Sequence, residues 1–170
     1  MSWAEHALRQ WQDYSGWAGP ALAVAAFLES LVVVGAVVPA TPLIVALGGA
    51  IAAGRASPQM LAWAAAGAFA GAWASYEAGA AARRAGWALP GRLGDQAAEV
   101  TGTLFRRFGP AAVVVGRFFG PVAAVAPFAA GWSAMPRGRF LAANLVTAML
   151  WPTAMAAIGY FGVLAWLRAL

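Results

Sequence analysis

Two ionisable residues lie deep within apolar stretches of this sequence, and they are its strongest candidates for chemistry. Glu29 occurs in AAFLESLVVV and Arg117 in VVVGRFFGPV. A charge at the centre of a bilayer costs about 2.5–3.5 kcal/mol, so such residues persist where they pair, face water or bind something charged. The five N–H donors of arginine suit a phosphate or a carboxylate. We therefore expect Arg117 to bind a lipid phosphate, with Glu29 neutralising it or carrying a proton.

Three further residues near these charges break helices and extend the candidate site. Pro39 lies in VVPATP, and Gly120 precedes Pro121 in the second stretch. Half-helices that begin at such breaks carry partial positive charge at their N-termini, which favours an anion. Asn144 is a further candidate, which either lines the site or hydrogen-bonds between helices.

A structural role is the alternative reading of the two charged residues. Glu29 and Arg117 could form an ion pair that only joins two segments of the chain. Either side chain could instead extend along the membrane to reach its surface.

The composition places these residues in a membrane protein. The chain has 170 residues, of which 62% are hydrophobic and 10% charged, whereas soluble domains carry about 25% charged residues. The net charge is +5, but the arginines flank apolar segments, as topology signals and anionic headgroups require. We therefore expect membrane lipids as partners and no nucleic acid.

The residues available for catalysis or metal binding argue against an enzyme. The sequence contains no cysteine, and its one histidine, His6, lies outside the apolar blocks. Its two aspartates, Asp13 and Asp95, lie in polar segments. Neither a Ser–His pair nor an intramembrane aspartate pair can be assembled from these residues. We expect no catalytic residue, no metal and no cofactor.

Four apolar blocks predict an all-α polytopic membrane protein. A crossing needs about 20 residues, and the third block has proline and glycine at its centre, so it fits a re-entrant helical hairpin better than a span. The first block, interrupted by VPATP, fits the same form. Two short full spans are the alternative there, although no charged residue marks a loop between them. The predicted segments are an interfacial amphipathic segment at 1–19, a hairpin at 20–54, a span at 58–82, a polar interfacial linker at 83–108, a hairpin at 109–135 and a span at 138–168.

Matching spacings indicate that a hairpin followed by a span occurs twice. Pro39 precedes Gly49 by ten residues, and Pro121 precedes Gly131 by ten. One copy contains an odd number of crossings, so the second must be inverted, as in many transporters whose sites lie where broken helices meet. We predict an inverted repeat with copies at 20–82 and 109–170.

The distribution of arginine predicts the orientation. On this topology seven arginines share the face of the linker, and three lie on the other face. Positively charged segments are retained in the cytoplasm. We therefore expect a cytoplasmic linker and both termini outside.

The same residues resemble the DedA membrane proteins, whose domain is also called VTT or SNARE-associated. The stretch GRFFGPVAAVAPFAAGWSAMPRGRFLAANLVTAMLWPTAMAAIGYFG, 116–162, is similar to the family's second-half motif, and 27–54 is similar to its glutamate and proline-centred motif. Glu29 matches the family glutamate and Arg117 its first motif arginine. The resemblance implies a flippase or scramblase of the bacterial inner membrane, acting on undecaprenyl phosphate or phospholipids, in some cases with the proton gradient.

This chain departs from the family pattern at two positions. Where many members have a second arginine it has Ala123, and where many have an acid it has Thr41. It also ends soon after GYFG, so a homodimer is one way to complete the fold. These departures leave open a non-transporting scaffold or partner subunit, and a transporter of ions or small solutes.

Overall fold

The fold is built from helices throughout the residues that can be described. The computed structural model describes residues 3–32, 34–35, 40–88, 91–118 and 120–169, and of 3–15, 93, 102, 104 and 120–122 it describes the backbone. No strand occurs among these residues, which confirms the all-α class. The helices are α1 Trp3–Glu29, α2 Thr41–Ala52, α3 Met60–Arg84, α4 Gly91–Glu99, α5 Ala111–Gly116, α6 Gly120–Trp132 and α7 Arg137–Arg168.

The predicted polar linker is itself largely helical. Helix α4 continues into a π-helical segment, Val100–Phe105, and a last turn, Arg106–Phe108. Gly109 then has a φ of 54°, which glycine adopts without steric cost. The chain can therefore turn sharply between the linker and α5.

Each predicted hairpin corresponds to two helices separated by a break in the helical backbone. In the first block α1 ends at Glu29 and α2 begins at Thr41, while Pro39 lies outside the described residues. In the second block α5 ends at Gly116 and α6 begins at Gly120. Pro121 is thus in the first turn of α6, where its missing N–H removes no helical hydrogen bond. The re-entrant path of either pair stays a prediction.

Helix α1 is longer than the sequence indicates. It has 27 residues and continues through Pro20, so the predicted boundary between residues 19 and 20 lies inside a helix. A proline is tolerated there when neighbouring groups accommodate the lost hydrogen bond. The interfacial position of segment 1–19 stays a prediction.

One helix in the described part of the chain is both long and apolar enough to cross a membrane. This is α7, with 32 residues, which at 1.5 Å per residue is about 48 Å long. The shorter apolar helical stretches are Gly16–Glu29, Thr41–Ala52 and Ala123–Trp132. Helix α3 has 25 residues but is less apolar, so its crossing at 58–82 stays a prediction.

Helices α3 and α7 are the two against which the helices of the predicted hairpins pack. Helices α1 and α6 pack against α3, whereas α2 and α5 pack against α7. Helix α3 also contacts α7 directly. The two helices of each predicted hairpin therefore pack against different partners, and the breaks between them meet between α3 and α7.

Glycine allows the closest of these helix crossings. A methyl group at Gly48 on α2 or at Gly159 on α7 would overlap backbone atoms of the facing helix. The same is true of Gly131 on α6 and Gly79 on α3. The α2–α7 and α6–α3 crossings are therefore built alike, and the small residues let their backbones approach closely.

Candidate functional site

The break after α1 is stabilised by hydroxyl groups. Ser30 Oγ donates to the carbonyl oxygen of Ala26 at 2.6 Å. Across the structure, Ser75 Oγ on α3 donates to the carbonyl oxygen of Ser30 at 3.0 Å and accepts from the N–H of Val32 at 3.1 Å. Irregular backbone in a membrane must be satisfied by protein or water. Ser75 provides hydrogen bonds to two backbone groups of the break, and these bonds attach the turning chain to α3.

Arg117 lies directly after α5 and is buried. Its side chain is 7% exposed. The Nη2 atom donates to Ser30 Oγ at 2.8 Å, and the guanidinium carbon lies 4.4 Å from the ring centroid of Trp151 on α7. The ring face attracts the cation. Arg117 thus joins the break after α1 to the middle of α7.

Glu29, the last residue of α1, faces the same space with an incomplete set of partners. Its Oε1 atom accepts from Thr41 Oγ1 at 2.7 Å. Its Oε2 atom is buried and has no hydrogen-bond partner among the described residues. A buried carboxylate oxygen without a donor is unusual in a folded protein. Oε2 therefore remains able to accept a hydrogen bond from a further group.

Glu29 and Arg117 do not form a salt bridge, which is the contact that the alternative structural reading requires. The ion pair found in the described part of the chain is Arg137 with Glu77, at 2.9 Å. Arg117 instead takes Ser30 as its acceptor, and Glu29 takes Thr41 as its donor. Each charge therefore has a neutral hydroxyl partner.

One cavity, the central cavity, brings these groups together. Its volume is about 220 Å³, below the roughly 300–1,000 Å³ typical of sites for drug-sized ligands. It therefore suits a small group such as a phosphate. The lining residues are Glu29, Thr41, Arg117, Phe118, Ala123, Trp151 and Met155.

Of the residues singled out from the sequence, four meet at this cavity. They are Glu29, Thr41, Arg117 and Ala123. Gly120 and Pro121 begin α6, three and four residues after Arg117, and only their backbone is described. Pro39 is outside the described residues.

Asn144 lies apart from the cavity. Its Nδ2 atom donates to the carbonyl oxygen of Phe69 at 3.0 Å, and the residue is 1% exposed. The side chain therefore links α7 to α3. Of the two roles that the sequence left open for Asn144, the structure supports the hydrogen bond between helices.

Four residues of the site escaped the sequence analysis: Ser30, Ser75, Trp151 and Met155. Ser30 had a weak signal, because it directly follows Glu29. The other three had no signal in the sequence, because the contacts that bring them to the site join residues far apart in the chain, as Arg117 and Trp151 are. In the sequence Trp151 resembles an ordinary tryptophan of a membrane helix, and only its contact with Arg117 marks it as part of the site.

Comparison with known proteins gives one match. The chain is similar to the inner membrane protein YabI of Escherichia coli (strain K12), with 31% identity over 152 residues. The matched region covers 87% of this chain and 58% of YabI, so the chain spans somewhat more than half the length of this curated relative. No protein-family model and no solved structure matches the chain significantly. Together with the helical fold, the match supports a bacterial inner-membrane protein.

Proposed function

We propose that this chain is a DedA-type membrane lipid transporter, a flippase or scramblase, that passes the phosphate of a lipid through the central cavity. The observation that carries the proposal is the convergence of Glu29 and Arg117, from two separate helix breaks, on one small cavity. No salt bridge joins Arg117 to a carboxylate in the described part of the chain, so the donors that Ser30 does not occupy can turn to an anion that enters the cavity. The proposed substrate is undecaprenyl phosphate or a phospholipid.

The chemistry of the cavity favours a phosphate over a carboxylate solute. The fork of Arg117 can present parallel donors to two phosphate oxygens. Ser30 and Trp151 contact the Arg117 guanidinium from two sides. These contacts already restrict the side chain, so less conformational entropy is lost when a phosphate binds. The cavity is too small for a whole lipid, so the acyl chains would remain outside while the headgroup enters.

Glu29 gives the site a means of responding to protons. When ionised, it would oppose a phosphate in a shared cavity by like-charge repulsion. When protonated, its Oε2–H could donate to the phosphate. We propose that protonation of Glu29 accompanies phosphate entry, which would couple lipid movement to a proton gradient.

The helix pairing supports an inverted repeat and a multi-pass path. If α1, α2 and α3 correspond to α5, α6 and α7, the α1–α3 contact corresponds to α5–α7, and the α2–α7 contact to α6–α3. Exchange of the two copies thus interchanges the two contacts of each of these pairs. Transporters of this architecture bind substrate between the copies, where the central cavity lies.

A non-transporting scaffold or partner subunit is the second candidate. Thr41 and Ala123, the two positions that depart from the DedA pattern, both line the central cavity. The cavity consequently has one basic and one acidic side chain, and less charge with which to hold a dianion. In this alternative Arg117 only fastens the breaks together, and a homodimer or another subunit would supply the activity.

The experiment that tests the proposal follows leaflet exchange in liposomes. The full chain is reconstituted, and exchange of labelled undecaprenyl phosphate and labelled phospholipids is measured with and without a pH gradient. Arg117→Met keeps an unbranched chain against Trp151 but removes the charge. We expect exchange at least about 100-fold slower, because charge-assisted hydrogen bonds to the phosphate are lost.

The matched control is Arg55→Met, which removes an exposed arginine that does not line the cavity. Its exchange rate should equal that of the unmodified chain. Equal rates in Arg117→Met would overturn the transport site. Folded protein that moves none of these lipids would support the scaffold instead.

A further inference from the structure

Two adjoining cavities lie outside the central site, between the linker and the junction of α6 with α7. Their volumes are about 350 and 380 Å³, and both are lined by Thr101 and Ser133. Because they share two residues, they form one continuous groove, which we call the linker groove. Its arginine and tryptophan residues are Arg83, Trp87, Arg106, Trp132 and Arg139.

The charged residues that line the linker groove are all positive. Arg83 comes from the last turn of α3, Arg106 from the end of the linker and Arg139 from the first turn of α7. All three are exposed, and none takes part in an ion pair within the described part of the chain. The acids of α4, Asp95 and Glu99, do not line it. The groove therefore complements an anion.

A hydroxyl group at the centre of the groove lacks a partner. The Oγ1 atom of Thr101 is buried and has no hydrogen bond among the described residues. Ser133, the other shared residue, directs its hydroxyl to the carbonyl oxygen of Ala130 at 3.1 Å. An orphan hydroxyl donor beside arginine is a group that a phosphate oxygen would satisfy.

The position of the groove along the helices indicates where the anion comes from. Arg139 lies where the apolar length of α7 begins, and Arg83 lies at the end of α3. Trp87 is 70% exposed. Arginine and tryptophan at the ends of apolar helices are typical of the headgroup level of a membrane. The nearest abundant anions at that level are lipid phosphates.

We propose that the linker groove binds the headgroup of an anionic phospholipid from the surrounding leaflet. In this site Arg83, Arg106 and Arg139 neutralise the phosphodiester, and Thr101 donates to one of its oxygens. The lipid is retained there, and the site is separate from the central cavity. Its occupancy would fasten the linker to the ends of α3 and α7.

The test is native mass spectrometry of the full chain in detergent, titrated with phosphatidylglycerol or phosphatidylcholine. The groove variant carries Arg83→Gln, Arg106→Gln and Arg139→Gln. The charge-matched control carries Arg55→Gln, Arg92→Gln and Arg168→Gln, three exposed arginines outside the groove. Each basic residue near the surface of an anionic membrane strengthens the binding of anionic lipid. We expect the tightest phosphatidylglycerol Kd to weaken roughly tenfold or more in the groove variant only.

Three results would overturn the proposal: equal weakening in the control, equal affinity for phosphatidylcholine, or displacement by glycerol 3-phosphate at the same concentration. The last would mean that the groove takes a soluble phosphate ester. If the triple variant does not fold, Thr101→Val decides, with a Kd about threefold weaker expected for one lost hydrogen bond. Binding retained in Arg117→Met, together with lost exchange, would separate this site from the transport site.

Discussion

Two arginines of this chain show opposite relations between burial and pairing. Arg117 is 7% exposed and has a serine hydroxyl and a tryptophan ring as partners. Arg137 has a side chain that is 66% exposed and forms an ion pair with Glu77 at 2.9 Å. The buried guanidinium therefore lacks the carboxylate that the exposed one has.

This difference shows why a short ion pair is a weak guide to function. An exposed pair gains little because water and salt screen both charges. A buried charge that forms no direct ion pair is costly to maintain, and Glu29 shares a cavity with Arg117 without forming a salt bridge to it. The central cavity provides space for a ligand beside Arg117, whereas Arg137 and Glu77 need no explanation beyond an interfacial position.

Apart from replacement of Arg117 itself, Ser30→Ala should slow leaflet exchange the most. The hydroxyl accepts from Arg117 and donates to Ala26, so its loss leaves a guanidinium N–H without its acceptor. We expect leaflet exchange about tenfold slower or more, because hydrogen bonds to charged groups contribute about 1.5–3 kcal/mol. The measurement is the liposome assay, with the melting temperature followed in parallel.

Thr153→Val is the control for this change. Thr153 is exposed, and its hydroxyl also donates to the carbonyl oxygen four residues earlier, that of Met149, at 2.8 Å. Its exchange rate should stay within about twofold, because the hydroxyl bonds only its own helix and Thr153 does not line the central cavity. If Ser30→Ala behaved like Thr153→Val, the bond from Ser30 to Arg117 would have no role in transport.

Ala123→Arg should alter which lipid the central cavity prefers. Ala123 lines the cavity, and an arginine there would add a second positive charge beside Arg117. A phosphomonoester carries more negative charge than a phosphodiester, and a charge at about 6 Å favours it by more than 1 kcal/mol at an effective dielectric constant of about 20. We expect the exchange rate of undecaprenyl phosphate relative to phosphatidylglycerol to rise about fivefold.

Ala123→Gln separates charge from size in this experiment. Glutamine fills much of the same space but adds no charge. The lipid preference of Ala123→Gln should match that of the unmodified chain, although its rate can fall. An equal shift in both variants would show that the cavity selects by shape and not by charge.

The charged residues of the site could be predicted from the sequence, whereas most of its neutral residues could not. Glu29 and Arg117 stand out because a charge inside an apolar stretch is costly, and the resemblance to DedA proteins added Thr41 and Ala123. The neutral partners have no such cost. Ser30 and Trp151 reach Arg117 only because α5 packs against α7 and the first break passes beside Ser75, and these are tertiary contacts.

The same distinction applies to the fold. The class and the positions of the breaks followed from hydropathy, proline and glycine, which act locally. The packing of the two helices of each predicted hairpin against different partners, α3 and α7, did not, because it depends on glycine surfaces that meet between distant parts of the chain. Asn144 shows that the role of a single polar residue cannot be predicted from its type, since a buried amide can bond either a helix carbonyl or a ligand.

Glu77→Gln should have the smallest effect of these changes. It removes the ion pair with Arg137 but leaves an amide that can still accept from Trp73, whose Nε1 lies 3.4 Å from Glu77 Oε1. We expect no measurable change in leaflet exchange and at most a slight fall in melting temperature. Any fall should vanish at about 1 M salt, where the Debye length is about 3 Å.

Asp95→Asn is the matched control, because it removes one exposed acid that has no ion pair among the described residues. If Glu77→Gln lowered the melting temperature more than Ser30→Ala, the exposed pair would be the stronger structural contact. Burial would then not explain the difference between the two arginines. The expected order, with Ser30 above Glu77, would instead follow from the water that screens Arg137 and is largely excluded from Arg117.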